Sequence, residues 1–195
     1  MIPPLPALIG LAGRTVSQPR EVATAVLSFG ADRRTLWMAL GLVVAVGVLL
    51  GEAVQAVMPP PPEDVEVVYI PPLLFAAVLY AFTAAFAWLL AELGRRLGGT
   101  GRFDEALALI VFLQFALLLA ELVQILLVFV APPLAAFWFL GILVLAFWVN
   151  IQFVDVLHGY GSLLKSFGVI VAATTLMAIT LLTLLTLSGV GLETR

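Results

Sequence analysis

The sequence lacks cysteine altogether and has one histidine, one lysine and few charged residues. Without cysteine the chain has no disulfide framework, no thiol nucleophile and no thiolate metal site. Charged residues make up 11% of the 195 residues and hydrophobic residues 63%, whereas soluble domains average about 25% and about 45–50%. The formal net charge of −3 gives no reason to expect nucleic acid or another polyanion as a partner. These values place the chain among membrane proteins.

Sequence motifs of enzymes and of nucleotide-binding proteins are also missing. The chain has no Ser–His–Asp order, no cluster of His and Glu at metal-ligand spacing and no nucleotide fingerprint. The stretch RLGGTGRF, residues 96–103, is basic and rich in glycine, but Asp104 and Glu105 follow it at the start of a helix and disfavour a phosphate there. We interpret it as a flexible turn between helices. The lone His158 gives no basis for a metal site, so we expect no enzymatic activity, no cofactor and no metal.

Five apolar stretches are long enough to cross a membrane, which takes about 20 residues of helix. Proline, glycine and polar residues separate them, at residues 59–72, 94–105, 131–133 and 155–162. We interpret the last of these as a short polar loop. The sequence thus predicts an all-α integral membrane protein that forms one domain over residues 1–195. The predicted spans are residues 35–58, 72–93, 105–130, 133–154 and 163–187.

The basic residues are distributed unevenly between the two ends of these spans. Eight of the nine lie on the side of the N-terminus, and only Arg195 lies on the other. Because cytoplasmic loops carry an excess of Lys and Arg, we expect the N-terminus in the cytoplasm and the C-terminus outside. Glu63, Asp64 and Glu66 then face outward. The eight residues on the cytoplasmic side are Arg14, Arg20, Arg33, Arg34, Arg95, Arg96, Arg102 and Lys165.

Residues 1–34 form a cytoplasmic segment in this prediction, and part of it is amphipathic. Over residues 18–29, Val22 and Val26 share one helical face while Arg20 lies on another. We predict a short amphipathic helix that lies in the cytoplasmic interface of the membrane. The alternative is an ordinary solvated helix before the first span.

The third span carries an acid, Glu121, between two amides, Gln114 and Gln124. Gln114 lies seven residues before Glu121 and Gln124 lies three residues after it, so all three share one helical stripe. That stripe should face protein rather than lipid. Other polar residues lie at a similar depth, and we predict a polar layer in the outer half of the bundle. They are Glu52, Tyr80, Thr180 and Thr183.

Two roles are open for Glu121. No Lys or Arg lies in this layer, and a carboxyl group buried without a cation favours its neutral form. Glu121 would then donate a hydrogen bond to another helix, which is worth about 0.6 kcal/mol in membrane interiors. The alternative is a proton or cation path through Glu121 and Glu52 in a small transporter or channel. We favour the hydrogen bond, because all twelve prolines lie outside the span interiors. A bundle sealed at Glu121 and Glu52 would exclude transport.

Three stretches of the sequence resemble a known family. The first is SQPREVATAVL, with an early proline before the N-terminal helix. The second is LGRRLGGTGRFDEALALIVF, in which a basic–Gly–Gly–x–Gly–aromatic stretch enters a helix. The third is DVLHGYGSLLKS, a polar fourth loop that leads into the last span. With the five-span layout they cover most of the chain, which resembles small bacterial members of the YIP family of Ypt/Rab-GTPase-interacting membrane proteins.

The resemblance implies a non-enzymatic multi-pass membrane protein that organises the membrane or binds partners. Eukaryotic members are associated with Rab GTPases, vesicle traffic and membrane shaping. Their acidic–aromatic–Gly–Pro signature is missing here, so GTPase binding does not follow from the resemblance. The expected partners are membrane lipids and other membrane proteins. The expected contact surfaces are the amphipathic helix and a basic loop suited to phosphate headgroups, formed by Arg95, Arg96 and Arg102.

Overall fold

The computed structural model of the protein describes residues 3–57 and 70–187. The acidic loop with Glu63, Asp64 and Glu66, and Arg195, lie outside the described residues, so their placement stays a prediction. The described part of the chain consists of seven α-helices and contains no strand. The helices are α1 (Leu5–Arg14), α2 (Pro19–Ser28), α3 (Arg33–Val57), α4 (Pro72–Arg96), α5 (Phe103–Val130), α6 (Pro132–His158) and α7 (Leu163–Leu187).

Five of these helices, α3 to α7, are long and apolar enough to cross a membrane. This finding confirms the predicted all-helical fold of a multi-pass membrane protein, and α2 confirms the short N-terminal helix. The five helices have 25 to 28 residues, which corresponds to about 37–42 Å at 1.5 Å per residue. Each can therefore cross a hydrocarbon core of about 30 Å.

The predicted polar loop at residues 155–162 is wrong over its first half, because α6 continues through His158. Asp155 and His158 are both buried and have partners on other segments, so their polarity does not end the helix. Gly159 ends it instead. This glycine has a φ of +64°, in the left-handed region that favours glycine, and its N–H donates to the carbonyl of Asp155 at 2.9 Å.

The hydrophobic core is concentrated at one end of the bundle, which we call the α2 end because α2 packs there. The first halves of α3, α5 and α7 and the second halves of α4 and α6 meet at this end. Most of the buried hydrophobic residues that the structure describes lie in these halves or on α2, and the exceptions are Val48 and Ala135. Toward the opposite end the helices expose large apolar side chains such as Leu73, Val130 and Phe137. Such side chains suit contact with lipid.

The apolar face of α2 covers protein rather than lipid. Val22, Ala23 and Val26 are buried, and α2 packs on α5 and α6. The bundle thus covers the apolar face of α2, and the place of this helix at the cytoplasmic interface of the membrane stays a prediction.

The first helix, α1, is not part of the sequence prediction. It packs along α5 through partly buried residues that include Leu8 and Leu11. A mainly apolar cavity of about 330 Å³ lies between α1, α5 and α6, and Trp138 and Ala120 are among its lining residues. Because these two residues lie beyond the core of the α2 end, α1 extends from that end toward the middle of the bundle.

Candidate functional site

A cavity of about 610 Å³ lies between α3, α4 and α5, in the half of the bundle away from the α2 end. Most of its wall is apolar, with Val48 from α3, Phe75 and Leu79 from α4, and Leu117 and Leu118 from α5. Pockets that bind small molecules measure about 300–1,000 Å³ and have mainly apolar walls with a few polar groups. The volume and the lining of this cavity fall within the range of such pockets.

Five polar residues line the cavity: Glu52 and Gln55 from α3, Thr83 from α4, and Gln114 and Glu121 from α5. Gln114 Nε2 donates a hydrogen bond of 2.9 Å to Thr83 Oγ1, which links α5 to α4. Neither Glu52 nor Glu121 forms a hydrogen bond or an ion pair with another residue in the described part of the chain, and the same holds for Gln55. Two carboxyl groups and one amide of this wall are therefore available to water or to a ligand.

The structure brings together half of the polar cluster that the sequence predicted. Glu52, Gln114 and Glu121 line the same cavity. Gln124 lies one turn further along α5 and is not among the lining residues. Its Oε1 is buried and has no hydrogen-bond partner among the residues that the structure describes. The predicted stripe on α5 thus faces the cavity over its first two members.

Thr180 and Thr183 do not belong to this cluster, so that part of the prediction is wrong. Their helix, α7, packs on α4 and α6 rather than on α3 or α5. Both side chains are exposed, and their hydroxyls donate to the carbonyls of Leu176 and Ile179 at 2.8 Å. A threonine can satisfy its hydroxyl within its own helix in this way. Tyr80 points toward the start of α3 and not into the cavity.

Glu121 does not form the expected hydrogen bond to another helix with any described residue. It lies half-buried on the cavity wall that also includes Glu52. The bundle is open at both carboxyl groups, so the structure does not exclude the transport interpretation. The structure also shows that the cavity does not continue to the α2 end of the bundle. Toward the α2 end, Leu40, Ala87 and Leu107 are fully buried and close the described core.

A second polar cluster, at the α2 end, was not predicted from the sequence. The Asp155 side chain is 0% exposed and lies 2.5 Å from Nη1 of Arg20, whose own side chain is 53% exposed. The backbone N–H of Ser162 donates to the same carboxylate at 2.9 Å, and the Ser166 hydroxyl lies 3.4 Å from it. This aspartate therefore joins α2 and α7 to α6. The sequence offers one indication of this cluster: Asp155 is a single acid directly after the predicted span 133–154.

His158 is the centre of the neighbouring contacts between α4, α5 and α6. Its Nδ1 accepts a hydrogen bond of 3.2 Å from the N–H of Gly101, and its Nε2 lies 3.1 Å from the carbonyl oxygen of Leu90. Because a carbonyl only accepts, Nε2 carries the proton and the ring is neutral. Tyr160 stacks on the ring, and its hydroxyl donates to the carbonyl of Gly94 at 2.5 Å. Burial raises the pKa of Tyr160, which keeps this donor protonated.

The glycine-rich stretch at residues 96–103 is not the flexible turn that we expected. A Cβ added at Gly99 would lie 2.4 Å from His158 Nδ1, and one added at Gly101 would lie 2.6 Å from Leu157 Cγ. The glycines are needed because the backbone approaches the buried imidazole closely. In the part of the chain that the structure describes, no group of three or more His, Cys, Asp or Glu residues could hold a metal ion.

The predicted contact loop is exposed, but an acid offsets part of its charge. Arg95 and Arg96 both pair with Glu92, the latter at 3.0 Å. The backbone N–H of Arg102 donates to the Glu105 carboxylate at 2.8 Å, so this glutamate caps the start of α5 as the sequence indicated. The Arg102 side chain projects from the loop into the surroundings.

Comparison with known proteins identifies no relative: no family model, no curated protein and no solved structure matches the chain. The resemblance to the YIP family therefore rests on the three stretches of sequence and stays a prediction.

Proposed function

We propose that this protein is a non-enzymatic multi-pass membrane protein that binds a small, largely apolar ligand in the cavity between α3, α4 and α5. The cavity itself supports this proposal, because an apolar wall there surrounds polar groups that lack partners among the described residues. Two of these groups, Glu52 and Glu121, are partly buried, and buried polar groups are normally hydrogen-bonded. The wall offers a ligand two carboxyl groups and two amides, and its one hydroxyl, on Thr83, is hydrogen-bonded to Gln114.

Filling the cavity tests this proposal. Gly51 lines the cavity, and a Cβ added there meets no atom within 4 Å, so Gly51→Leu adds a side chain at the cavity wall that starts in open space. We expect this variant to insert and fold normally but to lose most of the small molecules or lipids that co-purify with the wild type. Native mass spectrometry in mild detergent would measure them.

Gly141→Leu is the matched control for this experiment. Gly141 is exposed on α6, and a Cβ added there also meets no atom within 4 Å. This variant should keep the bound molecules of the wild type. If Gly51→Leu and Gly141→Leu retain the same ligands in the same amounts, the proposed binding function is wrong.

We also infer that the α2 end faces the cytoplasm of a bacterium and that the protein lies in the inner membrane. Arg14, Arg20 and Arg33 precede the first span at this end, and Arg95 and Arg96 close the second. A C-terminal fusion to alkaline phosphatase, which is active only outside the cytoplasm, should therefore be active, and the N-terminal fusion should be inactive. A stably inserted C-terminal fusion without activity would contradict this orientation.

The basic loop supports a further contact with the membrane. Arg102 is exposed, Arg95 and Arg96 share the acid Glu92, and Asp104 pairs with Arg33. The three arginines of the loop therefore outnumber the two remaining acids, Glu92 and Glu105. Basic side chains next to a membrane attract anionic headgroups by about 1 kcal/mol each. Lipids are accordingly the proposed partners on this side of the membrane.

A small transporter is the second candidate function, favoured by the cavity that reaches both Glu52 and Glu121. Transport would require a second conformation that opens toward the α2 end, where the described core is closed around Leu40 and Leu107. Loss of ion flux into liposomes in Glu121→Gln, with normal insertion, would favour transport over binding alone.

A further inference from the structure

We propose that the ligand of the cavity is an organic cation with an apolar body, in which an ammonium, guanidinium or phosphonium group is joined to a hydrocarbon or aromatic frame. This inference rests on the proposed function, because it names the ligand class of the same cavity. It follows from three properties of the wall: its charge, its hydrogen-bonding groups and its size.

The wall carries two carboxyl groups, and the described residues supply no cation to it. Glu52 and Glu121 are the ionisable residues among the described residues that line the cavity. The stretches 35–94 and 103–164 contain every lining residue and no Lys or Arg. A carboxylate held away from water is costly unless it is paired. A cationic ligand would supply the missing partner for two carboxylates that come from different helices.

The remaining polar groups favour the same ligand. Gln114 donates its amide N–H to Thr83 at 2.9 Å, which leaves its carbonyl oxygen to accept a hydrogen bond from a ligand. Thr83 accepts this bond, so its hydroxyl hydrogen stays a donor, as do the free amide N–H groups of Gln55 and Gln114. The oxygens of two carboxyl groups and two amides outnumber these donors, and an anionic headgroup would find no cation among the described residues. An ammonium or guanidinium group has only donors and matches this set, whereas a quaternary phosphonium group matches the charge of the carboxylates alone.

The size and apolar character of the wall distinguish an organic cation from an inorganic one. A metal ion such as Ca²⁺ takes about 6–8 oxygen ligands at close range, and the described residues include no group of three or more His, Cys, Asp or Glu that could hold a metal ion. The cavity of about 610 Å³ is instead large enough for a drug-sized molecule. Leu79 and Leu118 can cover its apolar body, and the ring of Phe75 can face its charge.

Two probes of equal shape and opposite charge test the proposal. Tetraphenylphosphonium and tetraphenylborate differ in charge but hardly in size, so an apolar pocket without charge preference would bind both. We expect the purified wild type, in uncharged detergent, to bind tetraphenylphosphonium at least about tenfold more tightly than tetraphenylborate. Equilibrium dialysis would measure both affinities.

Isosteric substitutions then assign the charge preference to the two acids. Glu52→Gln and Glu121→Gln should each weaken tetraphenylphosphonium binding by roughly tenfold while tetraphenylborate binding stays constant or improves. Glu21→Gln is the control, because Glu21 is exposed on α2 and pairs with Arg14 far from the cavity. It should change neither affinity by more than about twofold.

The outcomes separate this proposal from the binding function on which it rests. Equal binding of both probes, lost in Gly51→Leu, overturns the cationic ligand and leaves the binding function in place. Binding of tetraphenylphosphonium that neither Glu52→Gln nor Glu121→Gln weakens overturns it as well. If tetraphenylphosphonium does not bind at all, the cationic ligand is wrong, and the co-purification result for Gly51→Leu alone decides the binding function.

Discussion

Replacing Gly94 with alanine is expected to destabilise the bundle by about 3 kcal/mol, although the same change stabilises an ordinary helix by about 1 kcal/mol. A Cβ at Gly94 would lie 2.0 Å from Nε2 of His158. The imidazole has little freedom to move away, because Leu90 and Gly101 hold its two nitrogens and Tyr160 stacks on its face. The free energy of unfolding in mild detergent would measure this loss.

Two further variants make the Gly94 experiment specific. Gly168→Ala, in α7, is the matched control, because Gly168 is exposed and a Cβ added there meets no atom within 4 Å. It should leave stability unchanged or raise it slightly. In a His158→Ala background, Gly94→Ala should cost far less, since the two positions are in contact and their effects are not additive. Equal stability of Gly94→Ala and Gly168→Ala would contradict the role assigned to the buried ring.

The long helices could be predicted from the sequence because the signal that defines them is local. A membrane span must satisfy its backbone hydrogen bonds internally and be apolar over about 20 residues, and a short window of sequence contains this information. The same reasoning fails at Asp155 and His158. A polar residue near the end of a span is interpreted as the start of a loop unless its hydrogen-bond or ion-pair partners are known. Those partners, Arg20 and Gly101, lie far away in the sequence.

The candidate site could be predicted only in part, for a related reason. Helical spacing predicted that Gln114 and Glu121 lie on one face of α5. Their positions along the spans predicted that Glu52 lies at a similar depth in the membrane. The depth of a residue in the membrane does not identify the helices that lie next to it. Thr180 lies at a similar depth in the prediction, yet α7 packs on α4 and α6 and never reaches the cavity. Adjacency depends on packing between distant segments, and hydropathy contains no information about it.

The division of the bundle into two halves gives the proposed binding site its physical basis. At the α2 end, buried contacts around Asp155 and His158 fix the positions of α2, α4, α6 and α7. In the opposite half, α3, α4 and α5 leave an open cavity, and Glu52 and Glu121 on its wall have no partner among the described residues. Unpaired polar groups on a cavity wall cost stability, so the packed half must hold the helices together. The contacts at the α2 end thus allow the half with the proposed binding site to remain open.

Among the residues that form contacts around Asp155, Arg20 should contribute most to the stability of the bundle. Arg20→Ala would leave the carboxylate of Asp155, which is 0% exposed, buried without its cation. Removing one partner of a buried pair costs about 3–5 kcal/mol, and we expect about 2–3 kcal/mol here because the Arg20 side chain is itself 53% exposed. The loss should appear as a lower free energy of unfolding and as easier proteolysis of α2.

Asp155→Asn should be the milder change, although Asp155 is the more buried partner. The amide keeps an acceptor for the N–H of Ser162, and Arg20 can turn to solvent. Adding Asp155→Asn to Arg20→Ala should therefore restore most of the stability that Arg20→Ala removes, because the double variant no longer buries an unpaired charge. Arg14→Ala is the control: its exposed pair with Glu21 is worth about 0–1 kcal/mol. If Asp155→Asn instead adds to the damage of Arg20→Ala, the buried charge is not what Arg20 stabilises.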